Sequence, residues 1–260
     1  MEVVVVPVAE AARLAADAVE AVLRTRQRPV LGLATGSSPL ALYDELARRH
    51  ADEGLSFAHA RGFLLDEYVG LPPGDPERYR AVVGRELVAR TDLPPDAVLG
   101  PDGDAADLPA ACAAYERAIA DAGGVDLQVL GIGTDGHVGF NEPGSSLASR
   151  TRVKTLAEQT RRDNARFFGD DPAAVPAHVL TQGLATIRDA RHLVLLAAGP
   201  AKAAAVAQLV EGPVSARWPA TVLQLHPHVT VLVDEAAAAR LELAEHYRAT
   251  WRGKPAWQGL

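Results

Sequence analysis

Cysteine is almost missing. Cys112 is the only one in 260 residues, so no internal disulfide can form, and the chain reads as one made for a reducing, cytoplasmic setting. Cys112 itself lies in an alanine-rich stretch that reads as helical, where a thiol is most simply a small buried apolar residue. Long apolar runs are missing too. The opening MEVVVVPVAEAARL carries Glu2 and no basic leader, and its apolar run is too short for a signal peptide or a membrane span. No excess of basic residues exists: 26 Lys and Arg against 33 Asp and Glu leave a net charge of −7, which argues against nucleic acid or an anionic membrane as partner. Several chemical signatures are absent as well. There is no Walker GxxxxGK[ST], no GxSxG elbow for a serine nucleophile, and no HxxxH or CxxC spacing for a tight metal site. Nor is GIGTDG read as a dinucleotide fingerprint.

What is present is an alternation of short β-branched runs with alanine-rich helical segments. Strands are expected at residues 3–6, 30–34, 63–65, from 125 to the glycines near 131, 192–198 and 229–233. Helices are expected near 9–24, 39–49, 77–89, 110–122, 161–168 and 200–210. Repeated β-loop-α order predicts one α/β domain over residues 1–260, doubly wound and Rossmann-like, its mainly parallel sheet carrying helices on both faces. Periodicity is poorest at 150–190, and a mobile lid is expected there.

Three polar clusters then fall at the carboxyl edge of that sheet, where such folds bind ligands. LGLATGSSPL runs from strand through loop to helix; Gly36, Ser37, Ser38 and the helix start would hold an anion, though an ordinary capped turn uses the same residues. Lys202 stands in the first turn of another helix, where the macrodipole disfavours a cation, and a shared anion would remove that conflict. Asp66, with Glu67 beside it, follows the apolar run FLL and could serve as a base, or be a structural carboxylate. DGHVGFNEP gathers Asp135, His137 and Glu142 in one loop, with Gly136 and Gly139 permitting the turn. That carboxylate–imidazole–carboxylate set points to acid–base catalysis, with metal ligation as the competing reading.

Together LGLATGSSP, FLLDEYVGLP, GIGTDGHVGFNEPGSSLASRTRVKTL, DNARFF, the Lys202 helix and LQLHPHVTVLVDE resemble the glucosamine-6-phosphate deaminase family, and the likeness covers nearly the whole chain. The family's usual TGGTP stands here as TGSSP. The resemblance implies conversion of D-glucosamine 6-phosphate and water to D-fructose 6-phosphate and ammonia, in amino-sugar catabolism, with no metal or organic cofactor. It implies Asp66 as the base that moves a proton between C2 and C1, and His137 as the catalyst of ring opening, with Asp135 and Glu142 in support. It implies phosphate contacts from Thr35, Gly36, Ser37, Ser38, Arg166 and Lys202. Some members are hexamers activated by N-acetylglucosamine 6-phosphate, so a homo-oligomer is in view. Ser145, Arg152 and Lys154 match the activator segment, but the C-terminal stretch departs from the family pattern, leaving Tyr247 as the candidate aromatic contact. The nearest rival is 6-phosphogluconolactonase, which shares the fold and a DGH loop without the FNEP continuation. A sugar-phosphate-sensing regulator on this fold would carry a DNA-binding module.

Overall fold

The computed structural model describes residues 1–260, the side chain of Ala256 excepted. In chain order the elements are β1 (Glu2–Val5), α1 (Val8–Thr25), β2 (Val30–Leu33), α2 (Leu40–Glu53), β3 (Arg61–Leu64), β4 (Asp66–Tyr68), α3 (Tyr79–Glu86), β5 (Val98–Leu99) and α4 (Leu108–Asp121). There follow β6 (Leu127–Leu130), β7 (Arg152–Thr155), α5 (Glu158–Asn164), β8 (His178–Thr181), α6 (Leu184–Arg188), β9 (His192–Ala197), α7 (Ala203–Glu211), β10 (Val229–Val233) and α8 (Ala244–Arg252).

Seven strands form the main sheet in the order β1-β10-β9-β6-β2-β3-β5, every neighbouring pair parallel. Strands β2, β6, β9 and β10 are buried along their whole length. Runs such as VLGL and VTVLV have no polar side to offer water, so the sheet they build must be covered above and below. The helices around it do that.

The strand order also creates the crevice. From β2 the chain proceeds outward through β3 to β5, whereas from β6 it proceeds the other way through β9 and β10. The loops that follow β2 and β6 therefore diverge between two adjacent strands, which opens a cleft at their carboxyl ends. Four neighbouring strands, β9, β6, β2 and β3, carry the expected polar loops at that one edge. With strands about 4.8 Å apart, the set spans roughly 15 Å, the scale of a sugar phosphate with its contacts.

A second, smaller sheet was not expected from the sequence. It has three antiparallel strands in the order β4-β8-β7. Strand β4 reads DEY and β7 reads RVKT, too short and too charged to register as strands by pattern. Leu65 joins the two sheets: its N–H donates to Leu33 O (3.2 Å) in the main one, and its carbonyl accepts from Gln182 N–H (2.7 Å) beside β8. The stretch 150–190 thus holds β7, α5, β8 and α6, and only residues 156–177 form an excursion between two anchored strands. The helix expected at 161–168 begins earlier, as α5, and ends in a 3-10 turn at Ala165–Phe167.

Candidate active site

The loop after β2 keeps its donors unspent. Helix α2 has no side-chain cap at its start. Gly36 takes a φ of +82°, which turns the chain so that successive amides face outward. Among the described residues, the amides of Gly36, Ser37 and Ser38 donate to no protein carbonyl. Ser38 Oγ lies 3.1 Å from the point where a Cβ on Gly131 would stand, so this loop meets the loop leaving β6.

Lys202 ends a 3-10 turn, Pro200–Lys202, at the start of α7. Burial pushes its pKa down, and the Arg166 guanidinium pushes it down further. Arg166 is exposed, its guanidinium 4.7 Å from the Phe167 ring centroid. Neither cation takes part in a salt bridge among the described residues. Two positive groups close enough to repel form a site that an anion would relieve.

Asp66 and Glu67 separate cleanly. Glu67 accepts from the amides of Tyr68 (2.9 Å), Tyr79 (3.0 Å) and Arg80 (3.1 Å), so it caps the start of α3. Asp66 is 5% exposed, and burial, with the Glu67 charge adding to it, raises its pKa well above the carboxylate range. No protein group hydrogen-bonds its carboxylate among the described residues. A dry carboxylate without donors is poorly solvated and basic, which suits removal of a carbon-bound proton.

In the loop after β6, His137 Nδ1 donates to Asp135 Oδ1 at 2.6 Å, and the His137 amide donates to the same oxygen at 3.2 Å. A carboxylate can only accept, so the proton sits on Nδ1 and Nε2 is left for exchange. Burial is the largest single influence and raises the Asp135 pKa, but the hydrogen bond and charge of His137 and the backbone amides together outweigh it and hold the carboxyl below its usual value. The ring lies against Gly133, where a Cβ would fall 2.2 Å from Cε1. GIGTDG does in fact have the glycine spacing of a dinucleotide loop, Gly131, Gly133 and Gly136. What sets it apart is that no helix follows; the chain enters a turn and a Val138–Asn141 bridge.

Asp66 and the histidine loop meet at Gly139. Asp66 pairs with Thr181 across β4 and β8, and Thr181 Oγ1 accepts from the Phe140 amide at 3.1 Å. A Cβ on Gly139 would lie 2.9 Å from Thr181 Oγ1 and 3.5 Å from Asp66 Oδ2, and Gly139 has a φ of +56°. Gly139→Ala is therefore expected to lower turnover at least about tenfold and to cost about 1–3 kcal/mol of stability, read by steady-state kinetics and a thermal melt.

Glu142 departs from expectation. Both of its carboxylate oxygens accept from the Ala157 amide at 3.1 Å, and Thr160 Oγ1 donates to it. Free amides at the start of α5 attract a carboxylate more directly than an imidazole already engaged by Asp135. Glu142 thus pins the loop to the 156–177 excursion, and the set closed around His137 is a pair, not a triad. Asn141 beside it was missed from sequence. Fully buried, it donates to Val138 O and Gln182 O and accepts from Arg152 Nη1 at 2.8 Å. Its neighbours lie up to 41 residues away, a distance no local pattern reports. Ser145 is buried with an unpartnered Oγ, Arg152 is half-buried with its pKa lowered by burial, and Lys154 is half-buried. Tyr247 donates to Glu211 Oε1 at 3.2 Å, from α8 near β1, and does not join them within the chain.

The chain as a whole is similar to known proteins. The family model described as glucosamine-6-phosphate isomerases/6-phosphogluconolactonase matches residues 6–232. A glucosamine-6-phosphate deaminase of Beutenbergia cavernae is 68% identical, and one of Mycolicibacterium smegmatis 66%, each over the full length of both chains. A solved structure of a monomeric glucosamine-6-phosphate deaminase superposes with a TM-score of 0.90 at 42% identity, covering 92% of this chain and all of that one. The chain therefore belongs to the glucosamine-6-phosphate isomerase/6-phosphogluconolactonase family.

Proposed function

We infer that the chain is a glucosamine-6-phosphate deaminase, converting D-glucosamine 6-phosphate and water to D-fructose 6-phosphate and ammonia. One observation carries the reading: the buried, donor-free Asp66 lies against the loop that carries the Asp135–His137 pair, 3.5 Å from where a Cβ on Gly139 would stand, and Lys202 feels the charges of both Asp135 and Arg166. The phosphate would rest on Thr35, Gly36, Ser37 and Ser38 with Lys202 and Arg166, far from the reacting carbons, so its binding energy orients them. His137 Nε2 takes the anomeric hydroxyl proton and returns one to the ring oxygen, opening the pyranose. Asp66 then moves the C2 proton to C1 through an enolamine. Water adds at C2 of the resulting imine, and ammonia leaves. Every step is a proton transfer or a water addition that these side chains can serve, so the reaction needs no cofactor.

Arg166 lies on the 156–177 excursion, so that segment serves as the cover that brings a cation to bound phosphate. Ser145, Arg152 and Lys154 form the candidate activator site, supported by the unpartnered buried hydroxyl of Ser145 and by Arg152, a half-buried cation that pairs with no carboxylate among the described residues. No helix is long and apolar enough to cross a membrane, consistent with work in the cytoplasm.

The test is direct. Pure protein given D-glucosamine 6-phosphate without added metal should release ammonia and fructose 6-phosphate in equal amounts, and should leave 6-phosphogluconolactone at its spontaneous rate of hydrolysis. Lactone hydrolysis without ammonia release would transfer the reading to the rival activity. Repeating the assay with N-acetylglucosamine 6-phosphate should lower the half-saturating substrate concentration; no change would remove the activator assignment.

A further inference from the structure

The Asp135–Gly136–His137 turn is closed by its own hydrogen bonds: the Gly136 amide donates to Gly133 O at 3.0 Å, the Gly133 amide to His137 O at 2.9 Å and the His137 amide to Asp135 Oδ1 at 3.2 Å, with Gly136 at a φ of +81°. Its tilt against the rest of the fold is braced by the segment between α7 and β10. There the Trp218 indole lies on Gly136: a Cβ at that glycine would fall 2.7 Å from Trp218 Cε3 and 3.4 Å from its Cα. The Ala220 amide donates to Gly136 O at 2.8 Å, and the Gly144 amide, at the far end of the same loop, donates to Ala216 O at 2.8 Å. The bracing segment is itself stiffened. Ser215 and Trp218 form a bridge, and Thr221 Oγ1 both accepts from Ser215 N–H (2.8 Å) and donates to Ser215 O (3.1 Å).

We propose that Trp218 is a positioning residue for ring opening, its indole pressing on Gly136 so that the Asp135–His137 pair is presented to the sugar in one orientation. Its loss is therefore expected to act on the ring-opening step. The aromatic plane matters because Gly136 has no side chain of its own to anchor the turn, and the flat face of the half-buried indole fills the space where one would stand. Without it the turn keeps its own hydrogen bonds and the Ala220 amide on Gly136 O but loses the surface that sets its tilt, and the imidazole shifts by about an ångström. A misplacement of that size can cost up to about 100-fold in rate.

The inference rests on the deaminase reading and on His137 as the ring opener, so wild-type ammonia release is measured first. If wild type is inactive, the function is wrong and Trp218 is not at issue. With an active wild type, Trp218→Phe, Trp218→Leu and Trp218→Ala are compared. The expected kcat falls in that order, within about threefold for Phe and tenfold or more for Ala. KM should stay within about threefold, as should the inhibition constant of the acyclic 2-amino-2-deoxyglucitol 6-phosphate, which needs no ring opening. Wild-type kcat in both Leu and Ala variants would overturn the proposal. So would a kcat loss matched by weaker binding of the acyclic inhibitor, which would mark a general collapse of the site. Should the Ala variant melt below assay temperature, the Phe and Leu pair decides by the same criteria.

Discussion

Asp66→Asn should bind D-glucosamine 6-phosphate nearly as well as the parent protein and turn it over about 10³-fold more slowly. Asparagine keeps the shape and loses the basic oxygen. Exchange of the substrate C2 proton with solvent should vanish together with ammonia release, since both need the same abstraction. The same variant should melt at a higher temperature at neutral pH. Burial raises the Asp66 pKa well above the usual carboxylate value, so between the two values the folded chain holds a proton that the unfolded chain has released. Folding stability therefore falls as pH rises through that window, and the buried carboxyl weighs on the fold at any pH above the usual carboxylate value. A neutral amide removes the burden. For a chain of this length, each 1 kcal/mol gained moves the melting temperature about 2–4 °C. The raised pKa also places the acid limb of the wild-type rate profile above the ordinary carboxylate range, because the base must lose its proton before it can act. Wild-type turnover by the Asn variant would end the assignment, and an inactive variant that is also less stable would assign Asp66 to the architecture instead.

Lys202→Met is the second large effect, and it should appear in KM. A charge-assisted hydrogen bond to phosphate is worth about 1.5–3 kcal/mol, so KM should rise about 10- to 100-fold with kcat changed little. Inorganic phosphate, tested as a competitive inhibitor, should weaken in parallel. No loss of stability should accompany this. Burial and Arg166 both push the Lys202 pKa below its ordinary value. The folded chain thus binds that proton less tightly than the unfolded one, so at neutral pH the charged lysine opposes folding and its removal relieves Arg166. An unchanged KM, or a loss of stability as large as the loss of affinity, would take the phosphate site elsewhere.

The main sheet and three of its loops were legible because their causes are local. VTVLV must be a buried strand, and TGSSP needs a glycine turn and a helix start within five residues. The DGH pair likewise lies within three residues, and the hydrogen bond between its ends forms as the spacing suggests. The small sheet was not legible, because β4 and β7 owe their strand conformation to pairing with β8 over long separations and not to their own composition. The true partner of Glu142 was hidden for a similar reason: the amides at the start of α5 become available only once β7 has set where that helix begins. Trp218 carried one weak signal, an aromatic residue in a short serine- and proline-flanked turn, but its target lies 82 residues away in sequence and only the fold joins them.

Leu65, stitched to both sheets at once, has a mechanical consequence. The residue after it is Asp66, so the proposed proton acceptor is mounted where the two sheets are tied together. Any swing of the 156–177 excursion would pivot on β7 and β8, and β8 is joined through its backbone to β4. On the proposed mechanism the excursion would then move while the Asp66 carboxylate stays registered against the main sheet, and turnover need not rebuild its own geometry on each cycle.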